Sequence, residues 1–152
     1  MNRKQQSGFA SLISAALAAG ALALATCPTP AAAAAQTIGA YYQDAGALTC
    51  NSTQCLVYFS NLPAGKGLVA QKVSCRIETV GAPSFTEMAL TSKQSPSSNR
   101  FTALWTGTSG NFRYYLANAE VLYLATTQPY VWLKTKTGTI GQIYCTIAGQ
   151  LS

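Results

Sequence analysis

The side chains in this sequence that could do chemistry are cysteines and tyrosines rather than acids and bases. No histidine occurs in the 152 residues, so the group used most often for general acid–base work is missing. The four carboxylates, Asp44, Glu78, Glu87 and Glu120, are scattered singly, and their spacing suggests no acid–base pair. Pro63-Ala-Gly-Lys-Gly67 holds two glycines and a lysine but lacks P-loop spacing, and it reads as a turn. No G-x-S-x-G elbow is present. These residue types point to a non-catalytic protein with no cofactor.

Five cysteines occur, and Cys27 lies within an apolar leader. The other four, Cys50, Cys55, Cys75 and Cys145, are spaced C-x4-C, x19, x69. No zinc pattern has that spacing, so no metal site is expected. An even number of cysteines in a small exported chain argues for disulfides. Of the three pairings, Cys50–Cys55 with Cys75–Cys145 is preferred. The first closes a tight loop over Asn51-Ser-Thr-Gln54, and the second joins two inward strand faces, stapling a sandwich between them.

The tyrosines are the candidate binding groups. Tyr41-Tyr42 and Tyr114-Tyr115 are adjacent pairs. In a simple strand both rings of a pair cannot point inward, so one of each should face out. With Arg113, these four make the candidate ligand-binding set. Outward aromatics near amides such as Asn111, Asn118 and Gln142 suit stacking on sugar rings, and Trp105 and Trp132 are assigned to the core.

The elements that must position these residues begin after a leader. Arg3 and Lys4 precede an apolar run from Phe9 to Ala25, then Cys27-Pro28-Thr29-Pro30 and the small residues Ala31 to Ala35. That is the pattern of a secretory signal peptide, residues 1–35, leaving a domain at 36–152 that does not span the membrane. In that domain eight lysines and arginines face four carboxylates, a net +4. The cations are dispersed, so nucleic-acid binding is not expected.

Alternation marks the strands. In Lys66–Thr79, Val69, Val73, Cys75 and Ile77 fall on one side with Gln71 as a polar interruption, and Lys72, Ser74, Arg76 and Glu78 fall on the other. Similar patterns occupy 55–62, 84–93, 101–106, 130–136 and 139–151, where Ile143, Cys145 and Ile147 share a face. Residues 36–49 read as a short edge strand or arm, and 94–100 as a mobile polar surface connection. Phe112–Leu116 and Val121–Ala125 read as two strands separated by a turn or helical turn at 117–120. About eight strands without a helical period predict an all-β antiparallel sandwich, jelly-roll or Greek-key like.

Two leader motifs suggest other fates. Arg3-Lys-Gln-Gln-Ser-Gly8-Phe9 resembles the leader of type IV prepilins, which implies cleavage after Gly8 and a long packed N-terminal helix. Here Ile13 stands where that family has glutamate, and Pro28 and Pro30 interrupt the helix. Leu24-Ala25-Thr26-Cys27 resembles a lipobox, which implies lipid on Cys27. The expected protein is a secreted or periplasmic binding module, a monomer or weak oligomer, whose partner is a polysaccharide or an extracellular protein. The alternatives are a structural, pilin-like surface subunit and a small inhibitor of a hydrolase.

Overall fold

The computed structural model describes residues 34–93 and 95–152. The leader through residue 33, with the Gly8–Phe9 junction and Cys27, lies outside the described residues. The chain forms ten strands: β1 Gln36–Ile38, β2 Tyr41–Ser52, β3 Gln54–Tyr58, β4 Leu68–Val80, β5 Phe85–Ser92, β6 Ser95–Arg100, β7 Leu104–Ser109, β8 Phe112–Ala125, β9 Pro129–Thr135 and β10 Thr139–Leu151. They make two antiparallel sheets, a six-stranded one ordered β1-β2-β10-β4-β8-β7 and a four-stranded one ordered β3-β9-β5-β6. Among the described residues there is no helix. With β1 and β7 set aside as flanking edges, the chain winds between β2-β10-β4-β8 and β3-β9-β5-β6, which is jelly-roll order.

The core lies between the sheets. Leu68, Ile77, Ile140 and Ile147 from the larger sheet meet Val57, Leu90, Val131 and Leu133 from the smaller one, all essentially without solvent contact. Phe85 and Tyr115 meet edge to face across the gap, ring centroids 5.0 Å apart. The Tyr123 hydroxyl reaches Ser92 Oγ across it at 3.1 Å.

Both disulfides are present, Cys50–Cys55 and Cys75–Cys145. The second joins two inward strand faces, as the sequence suggested, and both strands belong to one sheet. Cys75 and Cys145 are register partners on adjacent strands of one sheet, with Cα atoms 4.1 Å apart. The bridge therefore fastens β4 to β10 at the centre of the larger sheet. Cys50–Cys55 closes the corner where the chain turns from β2 into β3, around Asn51 with φ of 53°.

Other sequence expectations are corrected by long-range pairing. β8 runs unbroken through 117–120, because Ala117, Asn118, Ala119 and Glu120 pair with Cys75, Ser74, Val73 and Lys72. The alanines that weaken the local strand signal suit the crowded centre, where Ala117 faces the buried Cys75. Residues 95–100 are not a connection but edge strand β6, with Ser95 paired to Ser92 and Arg100 to Ala89. Backbone pairing does not need apolar side chains, and Pro96 is tolerated at an edge.

In β4, Gln71 is an extra residue. Ala70 pairs with Gly149 and Lys72 with Ala148, which leaves Gln71 in a bulge. The bulge shifts the alternation, so Leu68 and Ala70 point inward and Val69 joins the outer face. β2 is a twelve-residue strand along β10 rather than a short arm. Trp105, on edge strand β7, is 62% exposed rather than in the core.

Candidate functional site

The outer face of each sheet is set by its outward stripes. On the four-stranded sheet that face is covered by its own side chains. Ala89 and Thr91 point outward there, yet Ala89 is fully buried and Thr91 nearly so. Their register neighbours are Trp132, Arg100 and Tyr130. Tyr58 and Tyr130 pack against each other at 5.2 Å, and the Lys93 ammonium stands over the Tyr58 ring.

The six-stranded sheet is open by comparison. β10 lies between β2 and β4, so outward residues from β2, β10, β4 and β8 line up in rows. One row is Gln43, Ala148, Lys72 and Glu120. Another is Ala45, Thr146, Ser74 and Asn118, in which the Ser74 hydroxyl donates to Asn118 Oδ1. A third is Ala47, Tyr144, Arg76 and Leu116.

Two depressions occupy this face. The first, about 650 Å³, is lined by Tyr41, Gln43, Lys72, Ser74, Asn118, Glu120, Thr146 and Ala148, among others. The second, about 600 Å³, is lined by Ala47, Thr49, Arg76, Glu78, Gln142 and Tyr144, among others. Amides and hydroxyls supply both donors and acceptors here. Tyr41 and Tyr144 are about half exposed.

The adjacent tyrosines divide as strand alternation requires. Tyr41 points outward into the first depression, while Tyr42 is buried. Tyr114 is half-buried on the outer face beneath the Arg76 guanidinium, 5.9 Å from its ring centroid, and Tyr115 is buried against Phe85. Arg113 is exposed at the end of β8, next in register to Thr79 and Thr108. Tyr41 and Tyr114 share a face but stand near its opposite ends, and Tyr42 and Tyr115 belong to the core. Gln43, Lys72, Ser74, Glu120, Tyr144 and Thr146 were not singled out as site residues from the sequence. The outward parity of Lys72, Ser74, Tyr144 and Thr146 was legible, but that of Gln43 and Glu120 was not, and neither were the neighbours of any of them.

One carboxylate has a separate role. Asp44 is 3% exposed and accepts three hydrogen bonds, from the Tyr42 hydroxyl at 3.1 Å, the Ala45 N–H at 2.7 Å and the Ser60 N–H at 2.6 Å. Burial, with the adjacent Asp44 charge and hydrogen bond, raises the Tyr42 hydroxyl well above the ordinary tyrosine range. Glu87 is held by Arg100 at 3.4 Å. Among the described residues, no three His, Cys, Asp or Glu side chains gather to hold a metal ion.

The chain matches no protein-family model and none of the curated proteins compared with it, so its fold and surface chemistry alone carry the functional reading.

Proposed function

We propose that this is an exported, non-catalytic β-sandwich that binds a polysaccharide across the outer face of its six-stranded sheet. The observation that carries the reading is the pair of depressions on that face, lined by amides, hydroxyls and two half-exposed tyrosines. Sugar hydroxyls need paired donors and acceptors, and sugar rings need flat apolar surfaces; these residues offer both.

Binding without hydrolysis is supported by the carboxylates. Asp44 is buried, Glu87 is paired with Arg100, and Glu78 and Glu120 remain on the face. Glu120 lies in register with Lys72, six residues along β4 from Glu78, or roughly 20 Å at strand rise. Glycoside hydrolysis uses carboxyl groups about 5 to 9.5 Å apart. Export is supported by the two disulfides, which persist in oxidising compartments. The test is retention on a panel of immobilised polysaccharides, with loss of retention in Gln43→Ala and Tyr41→Ala. No retention on any member of a broad panel would sink the reading.

A second reading, a structural subunit, is favoured by edge strand β7. Its sequence Leu104-Trp-Thr-Gly-Thr-Ser109 carries no charge or proline, and Leu104 and Trp105 are 71% and 62% exposed. Unprotected edges of this kind invite strand addition. Sedimentation decides it: a concentration-dependent polymer that Thr108→Lys dissolves favours a subunit, and a monomer at all concentrations removes it.

A further inference from the structure

Resting on the polysaccharide reading, we infer that the ligand is an uncharged, extended chain that runs along the strands and fills both depressions at once, with Tyr144 as the stacking platform at their junction. The two depressions follow one another along the same strands. On β10 the first is lined by residues 146–148 and the second by 142–144; on β4 the division falls between Ser74 and Arg76. On β2 the track runs from Tyr41 to Thr49, eight residues or about 27 Å at strand rise. A short oligosaccharide reaches only one depression, and only a longer chain engages both.

The charge of the track selects the polymer. The first depression holds Lys72 and Glu120, and the second holds Arg76 and Glu78. Each therefore sums to zero. The net positive charge of the domain lies elsewhere, on Lys66, Lys93, Arg100, Arg113, Lys134 and Lys136 against Asp44 and Glu87. A uronate or sulfated polymer would gain no net attraction from either depression, because the cation in each is offset by a carboxylate. Tyr144 is 51% exposed, with the small Ala47 beside it on β2 and Arg76 on β4, so room remains over its ring.

The test is calorimetry on the protein purified from its own cells. The ligands are neutral glucan, xylan and mannan oligosaccharides of increasing length, with polygalacturonate and a sulfated polysaccharide alongside. A six-unit chain should bind at least roughly tenfold tighter than a two-unit chain. Tyr144→Ala should weaken the six-unit complex by roughly tenfold. Affinity should change less than about twofold between about 50 and 500 mM salt. Equal affinity for short and long chains overturns the continuous track while leaving polysaccharide binding intact. Preference for acidic polymers with steep salt dependence overturns the neutral class. An unaltered Tyr144→Ala complex removes the platform. Failure to bind any polysaccharide, neutral or acidic, removes the parent reading and this inference together. Tyr144 lies on the surface, and an unchanged urea midpoint confirms that the variant is folded.

Discussion

The Asp44 carboxylate accepts the Ser60 N–H at 2.6 Å, tying β2 of the larger sheet to the chain leaving β3 of the smaller one. The same carboxylate holds the Tyr42 hydroxyl and the Ala45 N–H. The sheets approach closely here: a Cβ added at Gly46 would stand 2.7 Å from the Tyr58 carbonyl oxygen. Asp44→Ala would leave buried donors without acceptors and should cost about 3 kcal/mol in urea unfolding. Asp44→Asn keeps the shape but turns an amide donor toward donors, and should cost about 2 kcal/mol. An unchanged midpoint for Asp44→Ala would show that the clamp contributes nothing.

Tyr42 makes stability depend on alkaline pH. Its folded-state ionisation is pushed above the unfolded one by burial and by Asp44. The contribution is therefore whole below the ordinary tyrosine value, about 10, and is lost as pH rises above it. Where the unfolded chain has lost this proton and the folded one has not, stability falls by about 1.4 kcal/mol per pH unit. Tyr42→Phe should flatten this part of the slope, measured as urea midpoints above pH 10 for both proteins. Parallel slopes would remove Tyr42 as the source.

The two disulfides should contribute unequally. Cys75–Cys145 closes a separation of 70 residues and Cys50–Cys55 one of 5. Chain-entropy arguments give about 4 kcal/mol for the first and about 2 kcal/mol for the second. Replacing Cys75 and Cys145 together by alanine should lower the thermal midpoint well below that of the Cys50, Cys55 double variant. Equal shifts would mean that the long bridge is not the principal staple.

Gly149 is required by the bulge beside it. A Cβ there would lie 2.1 Å from the Val69 carbonyl oxygen and 2.8 Å from Ala70 Cα. Gly149→Ala forces the β4 and β10 backbones apart and should cost about 2 to 3 kcal/mol. Gly107→Ala meets nothing within 4 Å and should stay within about 0.5 kcal/mol. Similar midpoints for the two variants would contradict this account of the bulge.

Local alternation carried much of the fold. The inward Val73, Cys75 and Ile77 and the outward Lys72, Ser74, Arg76 and Glu78 were legible because side chains alternate with a period of two. So were the inward Ile143, Cys145 and Ile147 of β10. Where local signals mislead, a distant partner overrides them. Ala117–Glu120 carries little strand propensity but is held by β4, and β6 is polar but pairs with β5. The bulge at Gln71 depends on the fit of β4 against β10, which no local pattern encodes.

The sequence by itself determined the all-β class, the parity of β4 beyond its bulge and of β10, and the division of each tyrosine pair into an inward and an outward ring. These follow from steric alternation within a few residues. Only the tertiary structure decided which outward stripes became neighbours. β10 enters between β2 and β4, both distant from it in sequence, and so brings Gln43, Thr146, Lys72 and Glu120 onto one surface. It likewise turned Asp44 inward as a clamp and left Trp105 on an uncovered edge. Strand adjacency is set by how buried faces pack across the whole domain. A surface built from four strands therefore exists only after the core has chosen their order.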